Sequence, residues 1–362
     1  MLLLYLYYIV CNFTKSLSLR YFTKKKTNMK ISASIYSDKK RPLKEVIEDL
    51  VQHQVEMLHV DCNDDLSVFE DIKLIREWCE LPIDLHIITE QPSKYYQLLE
   101  ENPVEYITFQ YEDLKEQLII PSTVTGKKGL AVITPTDIEV FKDYHSFDFI
   151  LIMATIPGQS GGKFDTYNFS KIRKFSKLFP QKSIHVDGGV NGEVSFILRN
   201  MGVSSSVSGS YLFNAPSIGH ALMNLTKREV ESEFEIKDFM IPLGESPVLE
   251  EKELSFENVL KTIESGNLGF CLVINEDKQF KGLISNADVR KGILRNIKDL
   301  NNINVLELIN SNPKHLLEKD TVFSMLKTIK NCAFPITYFP VLSLEGKASG
   351  IVTFVNLIKG EL

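Results

Sequence analysis

Short apolar runs alternate with longer amphipathic stretches from Lys30 to about Leu225. The runs KISAS (30–34), MLHVD (57–61), IDLHII (83–88) and YITF (106–109) have the length and apolar character of buried strands. GLAVI (129–133), FILIM (149–153), SIHVD (183–187) and VSSSVSG (203–209) continue the series. Between the first two, Leu43–Gln54 places Leu43, Val46, Ile47 and Leu50 on one helical face. Eight strands alternating with helices over about 200 residues predict an α/β fold, a (β/α)8 TIM barrel. An open doubly wound sheet is the alternative, but no GxGxxG follows the first strand.

The pattern changes after a charged stretch, TKREVESEFEIKD at 226–238. Beyond it the chain repeats itself: VLKTIESGN (259–267) returns as MLKTIKNCA (325–333), and KGLISNADVRKGI (281–293) as SGIVTFVNLIKGE (349–361). An offset of about 66 to 68 residues suits a tandem of small α+β modules rather than a short-period solenoid. The predicted organisation is therefore a barrel at 29–225, a charged linker at 226–235 and a module pair at 236–362. Residues 1–28 are read as an N-terminal extension outside the fold, with Met29 as the working start. Their apolar run MLLLYLYYIV is too short to span a bilayer and no basic residue precedes it, so a membrane tether is the lesser reading.

Composition narrows the class without identifying it. With 44% hydrophobic and 24% charged residues, the 362-residue chain is ordinary for a globular protein. A net charge of −6 argues against a nucleic-acid surface, which needs concentrated Lys and Arg. Five cysteines without a CxxC do not resemble a disulfide framework, and a cytoplasmic location is expected.

Chemistry enters at MLHVDCND (57–64). Alternation along a strand turns His59 and Asp61 to one face and Val60 and Cys62 to the other. Alone, this could be a strand end meeting solvent. His86 near the end of the third strand and Asp187 at the end of the seventh change that reading, because carboxyl ends of barrel strands converge on one mouth. His59, Asp61, His86 and Asp187 together offer two imidazoles and two carboxylates to one divalent cation, with Zn, Fe, Mn and Co all suited. Glycine-rich turns follow the last three strands: IPGQSGG (156–162), DGGV (187–190) and SGS (208–210). In such barrels, loops after the last strands present backbone N–H groups to a phosphate.

On these residues the region from Lys30 to about Phe213 resembles the ribulose-phosphate 3-epimerase family. ISASIYS, LHVDCND, IDLHII, LIMATIPGQSGGKF, IHVDGGVN and SGSYLF stand in that family's order. The resemblance implies that His59, Asp61, His86 and Asp187 hold the metal and that Asp61 and Asp187 are the acid/base pair. It also implies that Ser34 and Met153 meet the substrate, and that Gly158, Gly161, Gly189, Gly209 and Ser210 surround its phosphate. The implied reaction is 3-epimerisation of a ketose phosphate, ribulose 5-phosphate/xylulose 5-phosphate or a relative. Inverting a carbon beside a ketone needs a proton removed on one face and returned on the other, which two carboxylates achieve. The cation would stabilise the enediolate between the transfers.

The departures lie around that chemistry rather than in it. Asn63 and Ile88 stand where the family has methionines, Gln110 replaces a histidine, Ser160 interrupts a glycine run, and DLSVFEDIK is short for its loop. A related barrel group uses DxKxxD after a strand; Asp61-Cys62-Asn63-Asp64 has no lysine, against decarboxylase or aldol chemistry.

The repeat at 236–362 resembles a cystathionine-β-synthase-type (CBS) pair, the first module being similar to those of arabinose-5-phosphate isomerases. That resemblance implies a nucleotide, adenine or other, held by Ser285 and Asp288; Thr353 is matched with Asn356 in the second module. It also implies a homo-oligomer. The alternative to a regulated epimerase is a non-catalytic sensor of sugar phosphate and nucleotide.

Overall fold

A computed structural model of the chain describes residues 29–155, 161–227, 234–332 and 336–354. The apolar N-terminal run, Gly158, Ser160 and Asn356 lie outside the described residues. Strands β1 (Lys30–Ser34), β2 (Met57–Asn63), β3 (Ile83–Ile88) and β4 (Tyr106–Gln110) are followed by β5 (Lys127–Ile133), β6 (Phe149–Met153), β7 (Ser183–Asp187) and β8 (Ser205–Ser208). They close into a parallel barrel in chain order, β8 pairing back onto β1. The last strand is shorter than its apolar run suggested. Helical hydrogen bonding continues past Met201 to Gly202, which takes φ +82°, and the Val203 N–H closes the preceding helix by donating to the Leu198 carbonyl.

Helices cover the barrel where the apolar stripe predicts them. α1 (Leu43–Gln52) buries Val46, Ile47 and Leu50; α2 (Val68–Trp78) and α3 (Tyr96–Glu101) follow β2 and β3. The crossovers after β4 and β5 depart from the expected alternation, with only 3-10 turns at Tyr111–Asp113 and Ile138–Tyr144. α4 (Tyr167–Leu178), α5 (Gly192–Met201), α6 (Ser210–Phe213) and α7 (Ile218–Thr226) complete this part.

The two faces of the strands differ in chemistry. Val60, Leu85, Ile107, Leu130, Ile150 and Val186 are fully buried in the main core. Each contributes about 1.5–3 kcal/mol by leaving water. The alternate positions include His59, Asp84, His86, Thr108, Gln110 and His185, all buried and polar. Sealed polar side chains cost stability unless hydrogen-bonded, so this inner face marks where the fold has kept chemistry.

The C-terminal repeat folds as two modules of one topology. α8 (Ile236–Phe239) and β9 (Ile241–Pro242) lead in, followed by β10 (Val248–Glu250), α9 (Phe256–Gly266), β11 (Phe270–Ile274), β12 (Phe280–Ser285) and α10 (Asn286–Arg295). The second module has β13 (Leu316–Leu317), α11 (Val322–Lys330), β14 (Tyr338–Leu342) and β15 (Ala348–Thr353). In each, a short strand pairs parallel with the next, which pairs antiparallel with the last. The modules also exchange lead-in segments: β9 pairs with β15, and Asn310 bridges to Leu283 of β12. Glycines of the repeat make room for this. A Cβ at Gly350 would sit 2.1 Å from the Ile241 carbonyl oxygen, and one at Gly282 2.4 Å from that of Asn310. Repeat-equivalent Phe270 and Tyr338 stack between the modules with centroids 3.7 Å apart. Ile236, Phe239, Val322, Phe339 and Phe354 share the barrel's hydrophobic core.

Candidate active site

Four side chains from three strands meet at the carboxyl mouth of the barrel. His59 and Asp61 come from β2, His86 from β3 and Asp187 from β7. One nitrogen or carboxylate oxygen from each lies within 4.8 Å of the others. His59 Nε2 is 3.1 Å from Asp61 Oδ1 and 3.8 Å from Asp187 Oδ2, and His86 Nδ1 is 3.5 Å from Asp61 Oδ1. Bonds of about 2.1 Å place ligand atoms on the order of 3–3.5 Å apart around a cation, so small side-chain shifts would close the set. Asp64, the second acid of the same motif, lies apart, paired with Lys94 and accepting from Thr89 and Tyr95.

The inner hydrogen bonds dispose these groups as metal ligands. His59 Nδ1 is 2.9 Å from Asp84 Oδ2, whose carboxylate can only accept, so Nδ1 carries a proton and Nε2 is the nitrogen turned to the cluster, 3.1 Å from Asp61 Oδ1. His86 Nε2 is 2.9 Å from Gln110 Oε1, while its buried Nδ1 has no hydrogen-bond partner. An orphaned imidazole nitrogen beside two carboxylates is what a bound cation would satisfy. The donor set fits one. Neither Asp84 nor Gln110 was among the residues expected at the site, although each is a polar residue on the inward parity of its strand, and that signal was available.

Charge tells the same story. Burial alone would push the His59 imidazolium down, yet Asp61 and Asp84 hold its pKa well above the ordinary value. Against the same burial, His59 holds the Asp61 carboxyl well below the usual range. Asp187 goes the other way: burial raises it, only partly opposed by His59. Asp61, Asp84 and Asp187 thus crowd negative charge around His59, a field that favours a cation.

The other expected barrel residues that are described line the same cavity, about 1040 Å³ in volume. Ser34, Met153, Gly161, Gly189, Gly209 and Ser210 all reach it, along with Lys39, Asn63 and Phe234. The glycines are there for space and backbone shape. Gly189 has φ +66° and a Cβ there would lie 2.2 Å from the Phe164 nitrogen. A Cβ at Gly209 would lie 2.1 Å from Ser37 Oγ, which itself donates to Ser34 Oγ at 3.1 Å.

Far from this mouth, Ser285 and Asp288 form a reciprocal capping box at the start of α10. Asp288 N–H donates to Ser285 Oγ at 3.3 Å, and Ser285 N–H donates to Asp288 Oδ2 at 3.1 Å. The Ser285 hydroxyl also donates to Asp288 Oδ2 at 2.6 Å. Both side chains are thus engaged in holding the helix end.

No helix among the described residues is long and apolar enough to cross a membrane. Cys62, Cys79, Cys271 and Cys332 are free thiols.

CBS-pair proteins of known structure match the C-terminal region at low similarity. CBSX2 from Arabidopsis thaliana is 18% identical, covering 36% of this chain and 95% of its own, with a TM-score of 0.30. The sequence model of the Ribulose-phosphate 3 epimerase family matches residues 30–213. Ribulose-phosphate 3-epimerase of Methanocaldococcus jannaschii is 30% identical over 226 residues, covering 59% of this chain and 95% of that protein. The Bacillus subtilis enzyme of that name is 25% identical, covering 51% of this chain and 92% of its own. The cytoplasmic isoform of Oryza sativa subsp. japonica is 26% identical, covering 55% and 93%. With its closed eight-stranded parallel barrel and the match across residues 30–213, this chain belongs to the ribulose-phosphate 3-epimerase family of carbohydrate isomerases.

Proposed function

We propose that the barrel, residues 29–225, catalyses metal-dependent 3-epimerisation of a ketose phosphate, ribulose 5-phosphate/xylulose 5-phosphate or a close relative, in the cytoplasm. The observation that carries this reading is the pair Asp61 and Asp187, two cavity-lining carboxyl groups that flank His59 with their pKa values driven in opposite directions. Two carboxyls separated in this way suit one proton acceptor and one proton donor.

Asp61, held ionised, takes the C3 proton from one face of the substrate. Asp187, whose carboxyl is raised by burial above its ordinary value, returns a proton to the other. The reverse direction exchanges their tasks, as microscopic reversibility requires. His59, Asp61, His86 and Asp187 would hold a divalent cation, which when bound would supply positive charge to the substrate's oxygens. Gly161, Gly189, Gly209 and Ser210 offer backbone N–H groups to the phosphate, so binding remote from C3 positions the reacting carbon. Asn63, in place of a methionine, alters the cavity wall, and Ile88 replaces a second methionine at the end of β3. A ketose phosphate longer than or differently configured from ribulose 5-phosphate is therefore the favoured substrate.

The C-terminal pair is read as a regulatory CBS module for an adenine or related nucleotide and as the seat of a homo-oligomer. Physical continuity supports a regulatory role. Phe234, just before α8, lines the barrel cavity, and its N–H donates to Glu193 on α5 at 2.9 Å. A kinetic panel of ketose phosphates, run with and without AMP, tests the whole proposal. A C3 epimerisation on the panel whose rate responds to AMP is expected; a panel with no turnover contradicts the catalytic reading, and an AMP-insensitive rate contradicts the regulatory one.

A further inference from the structure

The tautomer of His86 is decided two hydrogen bonds away from the cluster, at the rim beyond β4. Gln110, fully buried at the end of β4, presents Oε1 to His86 Nε2 at 2.9 Å. Its own NH2 donates to Glu112 Oε2 at 2.5 Å. A carboxylate accepts and cannot donate, so the Gln110 amide has one satisfactory orientation. Turned over, it would set its oxygen against the Glu112 carboxylate and its NH2 against His86. Glu112 is itself fixed, because Oε1 accepts the Ile133 N–H at 3.0 Å and the Thr136 hydroxyl. The direction of donation then runs one way, from His86 Nε2–H to Gln110 and from Gln110 to Glu112, leaving Nδ1 as the bare nitrogen facing Asp61.

We propose that Glu112 is a positioning residue that fixes the His86 tautomer through the Gln110 carboxamide, and so readies Nδ1 to bind a divalent cation. This rests on the metal-site reading above. It turns on the carboxamide, because an amide, unlike an imidazole, has two inequivalent ends that must be told apart. Without the fixed acceptor at Glu112 the amide is free to turn. The Asp61 carboxylate, 3.5 Å from Nδ1, would then draw the proton to that nitrogen and block it.

The test uses the full-length chain with Glu112→Gln, and with Glu112→Ala as a second variant. Long-range 1H–15N NMR of the metal-free proteins at mildly alkaline pH reads the His86 tautomer, and chelator competition with Co²⁺ reads the affinity. Wild type is expected to show His86 protonated on Nε2, with both variants shifted toward Nδ1–H. Co²⁺ should bind more weakly in the variants, by up to about 10-fold, the low end of what losing a direct outer partner of a metal ligand costs. Variants that keep the wild-type tautomer and Co²⁺ affinity would overturn the relay. A wild type that shows the Nε2–H tautomer but takes up no Co²⁺ would instead overturn the metal-site reading, and with it the purpose assigned to the relay.

Discussion

Asp84 Oδ2 lies 2.9 Å from His59 Nδ1, and both side chains are closed off from solvent. Asp84 also accepts from Ser32 Oγ at 3.2 Å, which fixes the carboxylate below the histidine. The Asp84→Asn variant keeps the shape and loses the charge. Its affinity for a divalent cation should fall about 10–100-fold, read by chelator competition. An unchanged affinity would show that Asp84 does not prepare His59 as a ligand.

His86→Ala removes one of the four proposed metal ligands outright. The folded variant should lose both bound divalent metal and epimerase activity, with elemental analysis and turnover measured on the same preparation. Full metal content in a folded His86→Ala protein would dismiss the four-residue site.

Deeper in the barrel, His185 stacks on Phe149 at 4.2 Å between centroids. Burial lowers its pKa from 6.5 to about 4. The imidazole is therefore neutral in the folded state over a range where the unfolded chain has already taken up a proton. The unfolded state binds more protons between pH 6.5 and about 4, so stability falls as pH drops through that window and levels off below it. The loss amounts to about 3 kcal/mol. Denaturant unfolding of wild type and His185→Leu across this range should give a difference that narrows by about this amount as pH falls. Parallel profiles would exclude His185 as the source.

Gly350→Ala tests the exchanged lead-in strands. The new Cβ would be 2.1 Å from the Ile241 carbonyl oxygen, a backbone atom with little room to move. A destabilisation of about 1–3 kcal/mol is expected, typical of overpacking. Thermal unfolding and limited proteolysis of the C-terminal pair would report it, and wild-type behaviour of both would mean β9 does not lie on β15.

Much of this architecture can be read along the chain, and the reason is periodicity. Each barrel strand is a short apolar run, and His59, Asp61, His86 and Asp187 announce themselves as polar residues on the inward parity near strand ends. Asp84 and Gln110 share that parity but gain their meaning only from strand register. His59 sits opposite Asp84 in the pairing of β2 with β3, a fact fixed by three-dimensional alignment of segments 25 residues apart. The 3-10 crossovers after β4 and β5 escaped for the same reason. Stretches with mixed apolar spacing do not say whether a full helix has room to form. The repeated glycines Gly282 and Gly350 were visible as repeats, but their cause, a neighbouring module's backbone, was not.

Asp187→Asn separates the two proton transfers. One face of C3 should lose its donor or acceptor, nearly abolishing inversion, while Asp61 still exchanges the C3 proton of one epimer. Deuterium from solvent should enter that epimer without epimerisation, provided the metal content is shown to be retained. A metal-loaded variant that inverts at the wild-type rate would refute the division of labour.

The most direct measurement is made on the wild-type, metal-loaded protein in D2O with the panel of ketose phosphates, following C3 by proton NMR. Catalysis by two carboxyl groups predicts that at least one substrate acquires deuterium at C3 as it converts to its C3 epimer. A protein that holds its metal yet neither exchanges nor inverts C3 in any member of the panel would contradict it.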